Sequence, residues 1–250
     1  MVETVYKLTD ANCYTRRGKP NETLWEIGRP APKLSGSTLC SAGLYHAYQC
    51  PYIACFMDPI HGEYGPSARM WTCETPHIIA YDGPLKCGVH ELTIITEIPK
   101  PKLTTDARIR TAIMLATAVR NNYDTWAVWA NNWLSGNDRT KKSANAAYIN
   151  VVSAAIAAGA ATTADAAIAA NAANAANAVD AASAAHAAAC AAATYVNAAH
   201  VHSAYVNASR AAANTAAYTN DAHAVKKAGI YTQIFSSVII AAIKAEEQKG

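Results

Sequence analysis

The chain reads as an α+β protein: a small, mostly β N-terminal domain with one short helix over residues 1–101, followed by an Ala-rich all-α helical bundle. Three observations predict this division. All 10 prolines lie at or before Pro101 and most of the 12 glycines lie at or before Gly88, so turn-forming residues are concentrated in the first part. Short β-branched and aromatic runs alternate with those turns. From Ala160 to Ala228 there is neither glycine nor proline, and alanine, the strongest helix former, dominates. A length of 250 residues accommodates two ordinary domains, the helical one covering 102–250 with its Ala-rich bundle starting near residue 138.

Val2 to Leu8 alternates and predicts an opening strand, and Leu24 to Ile27 predicts a short second one. After the Ser35-Gly36-Ser37 turn, Gly43 to Tyr48 enters a third. Pro51 suits the first turn of a short helix, where its missing N–H would be unpaired anyway. Asp58-Pro59 is expected to stop that helix after Met57, because an interior proline removes a hydrogen bond. Met70 to Glu74 and His90 to Ile98 predict two further strands, the latter ended by Pro99 and Pro101.

Thr104 or Thr105 caps the next helix, which Asp106 opens at the positive end of the helix dipole. Ile109, Ile113 and Ala116, with Leu115 and Val119 beside them, give it a buried stripe. Trp126, Trp129 and Trp133 stand three and four residues apart, so their indoles share one helix face. That face reads as core, because indoles bury large areas, with ligand stacking as the alternative. Gly136 ends this helix, and Asp138 caps another that runs to Gly159.

Further on, Asp165, Ile168, Asn171, Asn174 and Asn177 recur every third residue, each followed by two small ones. A three-residue step advances about 300° on an α-helix, so this row winds round the axis and leaves no bulky stripe. Close backbone approach between many alanines must then hold the helices together. The Ala-rich run is expected to fold back as a bundle instead of extending as one rod. Tyr148-Ile149-Asn150, Tyr195-Val196-Asn197, Tyr205-Val206-Asn207 and Tyr218-Thr219-Asn220 supply ridge-filling tyrosines. Ile230, Ile234, Phe235, Val238, Ile239 and Ile243 form the apolar side of a last helix, suited to anchoring the bundle or to a homo-oligomer contact.

The formal charge is +3, and its nearest approach to a basic stripe, Arg139 with Lys141 and Lys142, reads as a solvated helix start. Specific nucleic-acid binding is not expected. The first ten residues carry Glu3, Lys7 and Asp10 and lack an export signal's apolar stretch, and the Ala-rich run is too polar to span a bilayer. These features predict a cytoplasmic protein without a membrane partner. Seven cysteines, an odd number, suit reduced thiols. Cys73 with His77 and Cys87 with His90 are the best-spaced candidate metal ligands, but neither pair is a Cys-x-x-Cys knuckle. The reading is structural thiols, with no metal and no cofactor.

No phosphate loop, nucleophile elbow or metalloprotease helix occurs. The chemically capable residues cluster around the third and fourth predicted strands: His46, His61, Glu63, Arg69 and Glu74. His46, His61 and Glu74 are the candidates for acid–base work, since a histidine beside a carboxylate can exchange protons with a bound substrate. Tyr48, Arg69, Trp126, Trp129 and Trp133 are the candidates for ligand contact.

Several of these segments resemble a family of bacteriophage-encoded domains of unknown function. The likeness rests on Val5-Tyr6-Lys7-Leu8-Thr9-Asp10, Leu39-Cys40, Gly43-Leu44-Tyr45-His46-Ala47-Tyr48, Pro51 to Ala54 and Asp58-Pro59-Ile60-His61. Thr96-Glu97-Ile98-Pro99 is similar to the family's strand end before its helices, and Trp129 to Arg139 to the segment that follows. The resemblance covers scattered matches between residues 5 and 140 and implies a phage origin more than an activity. Together with the missing catalytic motifs it leads to the expectation of a non-catalytic accessory protein in the host cytoplasm, acting on a host protein or a small nucleotide-like host defence signal. One alternative is a nucleotide-directed enzyme with an ADP-ribosyltransferase-like N-terminal site. Another is a structural virion spacer, with an ice-binding surface as its remotest variant.

Overall fold

The alternating start of the chain forms the first strand of a β-rich unit, Met1–Leu103, and a second unit begins at Thr104. The computed structural model describes residues 2–19, 21–39, 41–82, 85–119, 124–157 and 164–178, with 187, 190 and 191. In chain order the first unit contains β1 (Glu3–Thr9), β2 (Tyr14–Thr15), β3 (Thr23–Leu24), β4 (Tyr45–Ala47), α1 (Pro51–His61), β5 (Arg69–Thr75), β6 (Ile78–Asp82), β7 (Lys86–Val89) and β8 (Thr93–Ile98). Four helices follow: α2 (Thr105–Val119), α3 (Asp124–Ser135), α4 (Lys141–Ala157) and α5 (Ala164–Asn177). The chain is therefore α+β, a β-rich region with one short helix and then helices that pack together.

Two antiparallel three-stranded sheets make up most of the first unit, in the orders β1-β5-β8 and β4-β7-β6, and β2-β3 form a small ribbon. Tyr6 and Tyr48 exchange backbone hydrogen bonds of 2.7 and 2.9 Å, which ties β1 to the segment leaving β4. The register places Val5 opposite Cys73 and Lys7 opposite Trp71. Opposed residues share a sheet face, so Lys7 lies on the inward face with Val5, Trp71 and Cys73. That face belongs to a core that also contains Trp25, Ala47, Ile78, Cys87, Val89 and Ile94. Both buried indoles have acceptors: Trp71 Nε1 donates to Thr9 Oγ1 at 3.0 Å, and Trp25 Nε1 to Thr15 Oγ1 at 2.9 Å.

The structure departs from the sequence reading at several elements. The strand expected over Leu24–Ile27 is only Thr23–Leu24, and Ile27 is exposed. The strand expected from His90 begins at Thr93, while His90 Nε2 instead makes a 2.6 Å hydrogen bond to the Gly36 carbonyl oxygen. Strands β2, β6 and β7 were not anticipated. Helix α1 passes through Pro59 and ends at His61. The Asp58 carbonyl accepts from the amides of Gly62 and Glu63, at 3.0 and 2.7 Å. Its carboxylate accepts from the Tyr64 and Gly65 amides, so one residue gathers the four amides that follow the end of the helix.

In the helical unit, Thr104 Oγ1 accepts the Ala107 amide at 3.0 Å and caps α2. Asp138 does not cap α4 itself. Thr140 Oγ1 accepts the Ser143 amide at 3.2 Å, and Asp138 Oδ1 buttresses that cap from the Thr140 amide and hydroxyl and the Ser143 hydroxyl. Helix α5 packs on α2 and α4, and α3 packs on the same two. Small residues make much of this packing, with Ala112, Ala116, Ala144, Ala147, Ala172, Ala173 and Ala175 buried and Asn174 exposed. Beyond residue 178, the later tyrosine repeats and the apolar face from Ile230 to Ile243 lie outside the described residues, as does the choice between one rod and several helices over 160–225. Among the described residues no helix is long and apolar enough to cross a membrane.

Candidate functional site

The two-residue β2-β3 ribbon, β4, the end of α1 and β7 together enclose a cavity of about 850 Å³ in the first unit. Each element delivers side chains to it for a local reason. Strand β1 turns Lys7 inward with Val5. Strand β4 supplies His46, one residue off the core-facing Ala47, and the extra turn of α1 past Pro59 supplies His61. Lys86 comes from the central strand β7, and Arg16, Lys19, Glu22, Trp25, Glu26 and Arg29 come from the ribbon and the chain that leaves it.

The lining has five cationic side chains, Lys7, Arg16, Lys19, Arg29 and Lys86, against two carboxylates, Glu22 and Glu26. Both carboxylates are engaged: Glu26 pairs with Arg29 at 2.8 Å, and Glu22 accepts the Gly18 amide. Lys86 lies 3.8 Å from Asp82. Lys7 is buried, donates to the His46 carbonyl oxygen at 2.6 Å and stands 4.8 Å from the Trp25 ring centroid. Among the described residues no carboxylate lies within ion-pair distance of it. Burial lowers its pKa to about 8, against a small opposing pull from Cys73 and Cys87.

The histidines are held neutral at physiological pH. Burial, then the neighbouring charges of Lys7, Lys86 and Arg16, lowers His46 to about 4. Burial, then Lys86 and His46, does the same to His61, again to about 4. Tyr48 Oη and His61 Nδ1 are 3.2 Å apart, with ring centroids at 6.0 Å. Burial pushes the Tyr48 hydroxyl well above its ordinary pKa, so it keeps its proton and stays neutral beside Nδ1. The rings of Tyr45 and Tyr64 complete the lining of this cationic site.

Of the residues singled out in the sequence, His46, Tyr48 and His61 line this one cavity. Glu74 and Arg69 do not. Glu74 is exposed on β5 between the inward-facing Cys73 and Thr75, and strand alternation directs it to the opposite sheet face. Arg69 pairs through Nε and Nη2 with Glu97, contacts Cys13 Sγ at 2.8 Å and covers the Trp71 ring at 4.6 Å. The Glu74 carboxylate is thus not brought to the histidines. Glu63 is an exposed residue at φ 54° just past α1. Trp126, Trp129 and Trp133 are buried to 1%, 6% and 2% exposure, the first two in edge contact, so they present no face to a ligand.

Sequence reasoning missed Lys7, Lys86 and the ribbon cations. Lys7 was legible in part, because two-residue alternation aligns it with Val5. Cys73 and Cys87 are buried free thiols, while His77 is exposed and 3.9 Å from Glu3. Among the described residues no three His, Cys, Asp or Glu side chains converge as a metal site. No family model, no curated protein and no solved structure matches this chain.

Proposed function

We propose that this protein is a phage-encoded, non-catalytic accessory protein whose N-terminal unit captures a small anionic, nucleotide-like host molecule. The carrying observation is the cationic cavity: its lining has five lysines and arginines to two carboxylates, and with Arg29 paired to Glu26 and Lys86 near Asp82, the excess positive charge rests on Lys7, Arg16 and Lys19. A volume of about 850 Å³ suits a nucleotide-sized ligand. Its aromatic walls offer planar surfaces for a base, and its charge favours phosphate or carboxylate groups. Glu74, the carboxylate candidate for acid–base work, stands outside the cavity that His46 and His61 line, which favours capture over turnover, and the sequence resemblance supplies the phage setting.

The test is a thermal-shift and calorimetric screen of the full chain against adenosine, adenosine phosphates and ADP-ribose. Binding raises the melting temperature in proportion to ligand concentration over Kd. A shift with at least one phosphorylated compound is expected. No shift with any of them, and no small molecule retained in native mass spectrometry, would remove the reading.

One observation favours the enzyme alternative: His46, His61 and Tyr48 share a cavity, so two imidazoles and a phenol border one ligand site. Turnover of an ADP-ribosyl donor that His46→Ala abolishes would establish it in place of simple capture.

A further inference from the structure

Lys7 is the most deeply buried cation of the cavity. Its side chain is 6% exposed, and its one hydrogen bond is to the His46 carbonyl oxygen, with the Trp25 ring on another side. An ammonium has three donors, so this environment satisfies it incompletely. A buried charge persists only when paired or strongly hydrogen-bonded. The acids nearest to it are the thiols of Cys73 and Cys87, which burial pushes up to about 12 and about 11, so they stay protonated and supply no negative charge. The carbonyl and the indole face both favour a cation. What is missing is an anion.

We propose that the inner end of the cavity seats a terminal phosphoryl group of the ligand, whose dianion is the counter-charge of Lys7, with Lys86 as an additional donor. The inference deepens the reading of the cavity as a ligand site and rests on it. Two buried ammonium groups suit a tetrahedral dianion with three peripheral oxygens. A planar carboxylate would instead call for a bidentate arginine fork, and the buried cations here are point charges.

The arrangement has a proton signature. Lys7 on β1 is faced by Cys73 from β5, by Cys87 from β7 and by His46 from β4, and Lys86 on β7 and Arg16 after β2 act on that same His46, as Lys86 does on His61 from α1. Burial disfavours its charge, and the thiols are neutral. A bound dianion favours the charged form, so at pH 8, where Lys7 is partly neutral, binding takes up a fraction of a proton.

The experiment is calorimetry on the full chain with adenosine, adenosine 5′-monophosphate and inorganic phosphate, at pH 8 in two buffers of different ionisation enthalpy. The monophosphate is expected to bind at least tenfold tighter than adenosine and with net proton uptake. Inorganic phosphate binding as tightly as the nucleotide would also support the seat, and would identify free phosphate as its source. Lys7→Met should reduce the nucleotide to the affinity of adenosine. Lys7→Arg, which keeps a charge that does not titrate near pH 8, should retain binding but lose the uptake, and it tests the proposal even where the methionine variant folds poorly. Equal affinity for adenosine and its monophosphate, or a phosphate preference that survives Lys7→Met, overturns the phosphoryl seat alone. Absence of binding by all three probes and by ADP-ribose overturns the ligand-site reading along with it.

Discussion

A neutral imidazole in a folded chain is a commitment that acid can withdraw. His46 and His61 have folded pKa values of about 4, against an ordinary value of 6.5, because burial and nearby cations oppose their charge. Between those values the unfolded chain binds protons that the folded chain refuses, so stability falls as pH drops from about 6.5 toward 4. Both rings border the open cavity, and solvent screening trims the effect. Urea midpoints measured between pH 7.5 and 4.5 should decline steadily, and the decline should be shallower in His61→Phe, which removes one of the two refused protons. A flat profile over that range would place both rings in water. Lys7 has the same logic on the alkaline side, where its folded value of about 8 lies below 10.5, so its contribution to stability rises as pH increases between them. The pattern of charges explains why these residues were only half visible in the sequence. Histidines announce themselves by type, whereas a lysine in a strand reads as an outward-facing solubiliser until its register with Val5 and Trp71 is known.

At the scale of elements, local signals succeeded where one face is buried and failed where context overrides them. Strand β1 alternates and was legible. Strand β7, Lys86-Cys87-Gly88-Val89, is the centre of its sheet and buried at every position, so it shows no alternation, and its glycine argues against a strand. A Cβ on Gly88 would meet Leu44 Cδ1 at 2.7 Å and Leu39 Cδ2 at 2.8 Å, which gives the glycine a packing reason that neighbouring residues in sequence do not disclose. Helix α1 is the informative miss. Pro59 is a sound stop signal, but Asp58 accepts the amides of four following residues with its carbonyl and carboxylate, and the extra turn carries His61 to Tyr48. Asp58 itself does not line the cavity. Asp58→Ala should therefore cost about 1.5–3 kcal/mol of stability, the range for hydrogen bonds to a charged acceptor. It should also weaken ligand binding through loss of the His61 position. Urea unfolding and ligand titration of the same variant check both; unchanged affinity with lowered stability would separate the turn from the site.

For the molecule as a whole, the division into a β-rich and a helical unit was the most legible feature, because proline and glycine placement and alanine content report it without any tertiary knowledge. The cavity was not legible, because it is assembled from Lys7, the ribbon near residues 15–30, His46, His61 and Lys86, which only the strand pairing brings together. All of those residues lie within Met1–Leu103, as does every member of the core around Trp71: Val5, Trp25, Ala47, Cys73, Ile78, Cys87, Val89, Leu92 and Ile94. About 100 residues is an ordinary size for a domain with its own core. A polypeptide ending at Leu103 should then fold cooperatively, bury Trp25 and Trp71, and bind the same ligand as the full chain within a few-fold in Kd. Tryptophan fluorescence during urea unfolding and calorimetry on the fragment measure these. A fragment that folds but does not bind would mean that the helical unit completes the site, and a fragment that fails to fold would mean that the core described above is insufficient without it.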